Sequence, residues 1–333
     1  MTQLKTSKTT IPLAFVSLGV IIAAAISLFA GPAGAAWSDP AILDLRGFRI
    51  VAATIVGAAL AASGVVLQSL MRNPLATPDL LGVASGSGLA MSLLAFGMSV
   101  AGHGRQFAWA GPWSTVAAII GALAALLIVY RLATGPRGLR PHTVVLVGVI
   151  IGIMGASLTQ FVHQIMPPEQ ARGAASAFLG GIRENELSWP QLFAIGAMVL
   201  ACIVRAAMLG PAMDAASLGE DEAVSVGVAL GKLRRELFLI GGVLSASAVV
   251  IAGPIGFVGL ICPHIYRLLA GPRHRPLVAG AAAIGALLLI CGDTLVRTIT
   301  PPTGRLPLSV FTAVIGGPFL IHMLRLQSRR SHS

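Results

Sequence analysis

The sequence predicts an all-α, polytopic membrane protein with ten transmembrane helices, and three observations lead to this fold class. Of the 333 residues, 56% are hydrophobic and only 11% are charged, whereas soluble domains have about 25% charged residues. The mean hydropathy is +0.86. The apolar residues gather in long runs, each close to the ~20 residues that a helix needs to cross a bilayer. These features exclude a soluble enzyme, a disordered regulator and a fibrous protein.

Ten apolar runs meet this length requirement and form a single transmembrane domain over residues 1–333. They are 11–31, 48–70, 80–100, 113–133, 143–165, 189–209, 237–253, 254–270, 277–296 and 307–325. The stretch 237–270 is predicted to form two helices, divided at Gly253-Pro254, because it is far too long for one crossing. The first run precedes Ala33-Gly34-Ala35, which resembles a signal-peptide cleavage site. Because this run is longer than the ~7–15 apolar residues of a signal peptide, we expect a retained helix.

The distribution of basic residues predicts the orientation. If the N-terminus is cytoplasmic and the ten spans alternate, 16 of the 23 Lys and Arg residues fall on the cytoplasmic side. This bias agrees with the positive-inside rule and places both termini in the cytoplasm. The same rule explains the net charge of +11, so we expect a lipid bilayer rather than nucleic acid as the partner of the basic residues.

A short internal repeat is also present. Residues 57–66 (GAALAASGVV) align without gaps with residues 241–250 (GGVLSASAVV), and six of the ten positions are identical. The first copy would enter the membrane from outside and the second from inside. Such inverted repeats are common among transporters, although chance similarity between apolar stretches is the alternative.

The centres of the predicted spans carry almost no ionisable side chains. Asp293 and Arg297 lie towards the outer end of the ninth span, and His264 and Arg267 lie towards the inner end of the eighth. Ion-driven carriers need such groups at mid-membrane depth, which argues against a secondary carrier working alone. We expect no cofactor and no metal site, because His264 and the nearby Cys262 cannot complete a tetrahedral set of ligands.

The chain also has no nucleotide site of its own. Residues 227–233 (GVALGKL) resemble a P-loop, but the glycine spacing is one residue short and Leu233 replaces the required Ser or Thr. We therefore expect that the chain is not an enzyme and that any ATPase is a separate chain. The cytoplasmic segment 210–236 is a candidate contact for it. Ser217 is predicted to cap a short helix there, and Gly227 or Gly231 to end it.

Two stretches indicate a family. The first contains Arg46-Gly47-Phe48-Arg49, Arg72–Ala76 (RNPLA) and Leu80–Val83 (LLGV). The second contains Gly253–Leu260 (GPIGFVGL), followed by Pro263-His264. Both resemble the FecCD family, the permease subunits of ATP-binding-cassette (ABC) importers for iron-siderophores, haem and cobalamin. The likeness covers roughly residues 40–325.

The resemblance implies ten spans and a permease dimer, formed with a second copy or a paralogue, above two ABC ATPase subunits. It also implies a periplasmic or lipoprotein binding protein that delivers the substrate. In the family, arginines on the outer face meet acidic residues of that binding protein, and the matching residues here are Arg46, Arg49 and Arg297. Exposed guanidinium groups can form bidentate pairs with carboxylates, although plain anchoring at the membrane interface is the alternative.

The resemblance also assigns the inner end and the translocation path. The segment that seats in the ATPase matches Leu218, Gly219, Glu220, Ala223 and Gly227. The path and its inner gate are expected along the fifth span, at His142, Thr143, Gly148, Gly152, Gln160 and Gln164. Gly148 and Gly152 form a small-xxx-small pattern that permits close helix approach, so packing against neighbouring helices is an equal alternative.

Together these features predict the permease subunit of an ABC importer in the bacterial inner (plasma) membrane, with an iron chelate such as a siderophore as the expected cargo. Cobalamin or haem is the alternative cargo within the family. An ion-coupled secondary carrier is the alternative from another class. The residues that contact the substrate are not identified by the sequence.

Overall fold

The computed structural model describes residues 3–30, 39–102, 112–136, 138–177, 179–182, 187–299 and 306–330. These residues form thirteen α-helices, a 3₁₀ helix at Pro78–Leu81 and a two-stranded antiparallel hairpin. The helices are α1 Gln3–Phe29, α2 Pro40–Met71, α3 Val83–Val100, α4 Pro112–Ala133, α5 Pro141–Ile165, α6 Pro168–Ala177, α7 Trp189–Met208, α8 Gly210–Leu218, α9 Glu220–Ser225, α10 Leu230–Ala252, α11 Val258–Ala270, α12 His274–Thr298 and α13 Leu308–Arg330. The strands are β1 Thr134–Gly135 and β2 Gly138–Leu139. The all-α class is confirmed.

Eight of the described helices are long and apolar enough to cross a membrane: α1, α2, α3, α4, α5, α7, α10 and α12. The predicted eighth and tenth spans instead correspond to shorter apolar helices. These are α11, with 13 residues, and the stretch Leu308–Ile321 of α13. The predicted number of ten full-length crossings is therefore not reached within the described residues. The residues that resemble a cleavage site, Ala33-Gly34-Ala35, lie outside them.

Local sequence explains where several helices begin. Asp39 precedes α2, and its carboxylate accepts a hydrogen bond from the backbone N–H of Ala41 at 2.9 Å. Ser188 precedes α7, and its backbone N–H donates to the side chain of Gln191 at 2.9 Å. Both arrangements satisfy polar groups that a helix end leaves unpaired. Proline in the first turn of α2 and α7 loses no helical hydrogen bond.

Helix α2 lies at the centre of the bundle and packs against α10 and α12. Glycines make these contacts close. A Cβ at Gly57 would overlap the carbonyl group of Gly285 in α12, and one at Gly64 would overlap that of Gly259 in α11. The hydroxyl of Ser63 donates to the carbonyl oxygen of Gly241 in α10 at 2.9 Å. Backbone-to-backbone contact of this kind is how small residues hold membrane helices together.

The predicted break at Gly253-Pro254 is present. Helix α10 ends at Ala252 and α11 begins at Val258, with positive φ angles of 66° at Gly253 and 68° at Phe257. Proline lacks an N–H and disfavours a helical residue before it. Ile255, in the middle of the break, is buried, as expected because irregular backbone at membrane depth must be covered by protein. Thirteen residues of α11 span only about 20 Å.

Both copies of the predicted repeat lie in the middle of long helices, 57–66 in α2 and 241–250 in α10. These two helices contact each other through Ser63 and Gly241. Each is followed by an irregular segment before the next α-helix begins. The repeat and its inverted topology remain predictions.

A short helix, α6, lies between the long helices α5 and α7 and runs from Pro168 to Ala177. Its start is explained by Pro168, because proline is suited to the first turn of a helix. The chain then passes Gly180, whose φ is 66° and whose carbonyl oxygen accepts from the backbone N–H of Leu308 at 3.0 Å. The loop after α6 thus anchors the start of α13.

Candidate functional site

The predicted coupling segment 210–236 folds into α8, α9 and the first turns of α10. Ser217 was predicted to cap a helix, and this prediction is wrong. Ser217 lies inside α8, where its hydroxyl donates to the carbonyl oxygen of Asp214 at 2.6 Å. Gly219 instead precedes α9, and the acidic run 220–222 forms the first turn of α9. Negative charge there is favourable because it faces the positive end of the helix dipole.

The coupling segment exposes a small apolar surface. Leu218 is 79% exposed, and Val224 and Val226 are also largely exposed. Ala223, between them in sequence, is fully buried. The turn predicted at Gly227 is present, with a φ of 84°. We call Leu218, Val224 and Val226 the coupling patch. Apolar side chains on a loop beyond the membrane helices are a feature of protein interaction sites.

Ion pairs connect the coupling segment to three long helices. Glu220 pairs with Arg234 of α10, and its carboxylate lies 3.8 Å from the guanidinium of Arg72 at the end of α2. Asp214 of α8 accepts hydrogen bonds from His274 at the start of α12, from the backbone N–H at 3.0 Å and through Nδ1 at 2.7 Å. These contacts link α8 and α9 to α2, α10 and α12.

At the opposite end of the bundle, Arg49 of α2 forms a buried ion pair with Asp293 of α12. The Nε of Arg49 donates to Oδ2 of Asp293 at 3.1 Å, and Nη2 donates to Oδ1. The Nη1 of Arg49 also donates to the carbonyl oxygen of Ile182 at 3.2 Å. Arg49 is 6% exposed. The pair joins α2, α12 and the loop after α6.

The other two predicted docking arginines, Arg46 and Arg297, form hydrogen bonds to α1. The Nη1 of Arg46 donates to the carbonyl oxygen of Leu28 at 2.8 Å. The Nη2 of Arg297 donates to the carbonyl and hydroxyl oxygens of Ser27, both at 2.9 Å. The expectation of exposed guanidinium groups is wrong for Arg46 and Arg49, which are buried because α1, α12 and the loop after α6 cover them. Arg297 is partly exposed.

The predicted path residues of α5 do not share one face. Gly148 is buried, and a Cβ there would overlap the carbonyl oxygen of Leu80. Gly152 is partly buried beside Ser85. Packing against the segment before α3 therefore explains the glycine at position 148. This is the alternative interpretation given above for the small-xxx-small pattern of Gly148 and Gly152.

The polar members of the predicted path lie on a different side of α5 from Gly148. His142, Gln160 and Gln164 are exposed, and Thr143 is partly exposed. At 100° per residue, His142, Gln160 and Gln164 fall within one narrow stripe of the helix. We call these three residues the α5 stripe.

His264 makes an edge-to-face contact with the ring of Phe319, with the ring centroids 5.6 Å apart. Within the described residues no group of three or more His, Cys, Asp and Glu side chains is placed to hold a metal ion. Cys262 is buried, Cys202 is partly buried and Cys291 is exposed.

Comparison with known proteins identifies the family. The model of the FecCD transport family matches residues 6–326, which is nearly the whole chain. The chain belongs to the FecCD family.

Individual FecCD relatives are similar over most of their length. The hemin transport system permease protein of Yersinia pestis is 32% identical over 87% of this chain and 84% of its own length. The Fe(3+)-citrate import system permease protein of Bacillus subtilis is 34% identical over 85% of this chain and 81% of its own. A solved inward-facing structure, described as an ABC transporter of the metal-chelate type, superposes with a TM-score of 0.82 at 28% identity and covers 95% of this chain and 99% of the other.

As a FecCD protein, the chain is a multi-pass transport permease subunit of an ABC importer and not an enzyme. The ion pairs Arg49–Asp293 and His274–Asp214 were not predicted from the sequence. The only local signal for the first pair was that Arg49 and Asp293, with opposite charges, both lie near the outer ends of predicted spans. No local signal connected Asp214 with His274.

Proposed function

We propose that this FecCD permease imports an iron chelate across the bacterial inner (plasma) membrane, with both termini in the cytoplasm. It works as one half of a permease dimer above two ABC ATPase subunits, and a binding protein delivers the chelate at the outer end. The observation that carries the proposal is the coupling patch, which presents exposed apolar side chains on two short helices tied by ion pairs to α2, α10 and α12.

The proposed mechanism requires no chemistry on this chain. ATP binding closes the two ATPase subunits and moves α8 and α9. Because Glu220 pairs with Arg234 and Asp214 with His274, the movement reaches α10 and α12. Exposed ion pairs are individually weak, so the close packing of α2 against α12 at Gly57 and Gly285 carries the displacement further through the bundle.

The α5 stripe is the proposed lining of the path. Most of α5 is exposed in the single chain, so a second permease copy or paralogue facing α5 would enclose a cavity between them. Within that cavity His142, Gln160 and Gln164 offer hydrogen-bonding groups. Such a surface suits a bulky chelate that has to pass without tight binding. Gly148 and Gly152 contribute by letting α5 approach the segment before α3.

The outer end is the proposed contact for the binding protein, with Arg297 as a partly exposed cation. Arg46 and Arg49 are buried below this surface. Their hydrogen bonds position the end of α1 and the loop after α6. Partly exposed arginines favour association with acidic surfaces and speed the encounter at low ionic strength.

The iron-chelate cargo is supported by the Fe(3+)-citrate relative, whose identity of 34% is spread over most of both chains. Haem is a second candidate, since the hemin permease of Yersinia pestis is 32% identical over a similar range. An ion-coupled carrier is disfavoured because the centres of the described long helices carry no Asp, Glu, Lys or Arg.

Substitution in the coupling patch tests the proposal. In Leu218→Glu we expect the cognate ATPase to co-purify at least tenfold less well, because a charge then occupies the apolar contact. The matched control is Thr134→Glu in the exposed hairpin at the same end of the bundle, which should retain the ATPase. Normal membrane levels of both variants show that folding is intact. Full retention of the ATPase by Leu218→Glu would contradict the proposal.

A further inference from the structure

A polar cavity of about 210 Å³ lies at the coupling end, between the end of α2, α8, α11 and the start of α12. Its lining residues include two arginines, Arg72 and Arg267, together with Gln68, Ser217 and His274. None of these residues belongs to the coupling patch or to the α5 stripe. The proposed transport mechanism places no ligand in the cavity, although its Asp214–His274 pair borders it.

The positive charge in this cavity is poorly compensated. Arg267 is partly buried, and its guanidinium forms no ion pair or hydrogen bond with any residue in the described ranges. Arg72 has one acidic neighbour, Glu220, at 3.8 Å, and Glu220 also pairs with Arg234. Asp214, a further acidic side chain in contact with the cavity lining, is bonded to His274. A cation removed from water without a partner is costly, so the cavity favours an anion.

Gln68 indicates what kind of anion. It is 3% exposed, and its amide nitrogen donates to the carbonyl oxygen of Gly259 at 3.1 Å. Its oxygen, Oε1, is buried and accepts no hydrogen bond. A buried acceptor without a donor costs about 1–3 kcal/mol. A ligand that fits the cavity therefore brings anionic oxygens for the arginines and an O–H donor for Gln68.

We propose that this cavity binds a phosphate group. Planar guanidinium groups match phosphate oxygens in a bidentate geometry. A phosphate monoanion has an O–H of its own, and a glycerol-type phospholipid headgroup has hydroxyls beside its phosphate. A chloride ion or a deprotonated carboxylate has no donor for Gln68. Free phosphate-bearing solutes of the cytoplasm and anionic lipid headgroups share this chemistry, and basic pockets at the cytoplasmic ends of membrane helices suit both.

The position of Arg72 supports a role for its side chain. Arg72 ends α2 in the left-handed conformation, with φ 48° and ψ 35°. Glycine is the usual residue at this position of a helix end, because other residues are strained there. Arg72→Gly is therefore expected to fold at least as well as the parent chain while lacking the guanidinium. Arg267→Gln is the complementary variant. It removes a guanidinium from a packed helix end, where the loss of contacts lowers stability.

Ligand-dependent unfolding in detergent tests the phosphate site without any transport assay. The parent carries Cys202→Ser and Cys291→Ser, so that a thiol-reactive dye reports unfolding through the buried Cys262. We expect saturating potassium phosphate at pH 7 to raise the unfolding midpoint by roughly 2–4 °C over potassium chloride of equal ionic strength. The exposed control Arg235→Gln should respond like the parent, and Arg267→Gln and Arg72→Gly should lose the response.

A lipid arm separates the two sources of phosphate. Dioctanoyl phosphatidylglycerol is compared with dioctanoyl phosphatidylcholine, which lacks the headgroup hydroxyls. A shift with phosphatidylglycerol at concentrations well below those needed for inorganic phosphate identifies a lipid headgroup site, and a shift with inorganic phosphate alone identifies a solute site. The proposal is overturned if neither probe shifts the midpoint, or if Arg267→Gln and Arg72→Gly respond like the parent.

Discussion

Arg49 shows how a charged residue at the end of a span can be structural. Its guanidinium makes two bonds to Asp293 and a third to the carbonyl oxygen of Ile182. These contacts join α2, α12 and the loop after α6 within the bundle. Removing one member of such a buried pair leaves an uncompensated charge, which is far more costly than the net contribution of the intact pair.

For this reason Asp293→Asn should destabilise the chain by about 3–5 kcal/mol. The exposed pair Arg205–Glu236 provides the comparison, and Glu236→Gln should cost less than about 1 kcal/mol. Unfolding midpoints from the Cys262 dye assay rank the variants. Equal midpoints for Asp293→Asn and Glu236→Gln would show that the buried pair has no structural role.

Arg297 is the residue that tests docking at the outer end. Arg297→Gln should weaken binding of the cognate binding protein about tenfold at low salt, because a partly exposed cation is lost. Arg273→Gln, an exposed substitution at the coupling end, should leave the affinity unchanged. Since Arg297 also bonds to Ser27, an unfolding midpoint must accompany each affinity. An unchanged affinity for Arg297→Gln would remove this residue from the docking surface.

Among the elements, the contact between α2 and α12 depends most clearly on small residues. A Cβ at Gly57 would overlap the backbone of Gly285, and a Cβ at Gly285 would overlap that of Gly57. Both helices would have to move apart to admit one methyl group. In a bundle packed at crystal-like density such a movement is not absorbed locally, and it would also disturb the Arg49–Asp293 pair between the same two helices.

Gly57→Ala should therefore lower stability by about 1–3 kcal/mol, the usual cost of overpacking. Gly97→Ala is the matched control, because nothing lies within 4 Å of a Cβ at this position in α3. That variant should be neutral or slightly more stable, since alanine is the better helix former. The dye assay measures both. A Gly57→Ala midpoint at or above that of the parent would contradict the close approach of α2 and α12.

At the scale of the whole molecule, the long helices were predictable because length and lack of charge are local properties. The break at Gly253-Pro254 was predictable for the same reason. The Arg49–Asp293 pair was not, because its members are 244 residues apart. Whether a guanidinium at a span end meets water or the protein depends on how α1 and α12 pack over it. Gly148 was correctly marked as a site of close approach, but its partner, Leu80, could not be known from spacing.

Among the described residues, the FecCD permease has its ion pairs at the two ends of a largely uncharged bundle. The ion pairs of Glu220 and Asp214 lie at the coupling end, and Arg49–Asp293 lies at the other. The centres of the described long helices carry no Asp, Glu, Lys or Arg, which argues against direct use of an ion gradient. We propose that force is applied at one end instead, through the coupling patch.

Uptake into proteoliposomes tests most directly whether a separate ATPase drives transport through this permease. One set of vesicles contains the permease with its cognate ATPase, enclosed ATP and external binding protein loaded with ferric citrate, haem or cobalamin. The other contains the permease alone under an imposed proton or sodium gradient. We expect accumulation of one cargo only in the first set, and only with ATP. Accumulation by the permease alone, driven by either gradient, would contradict the account.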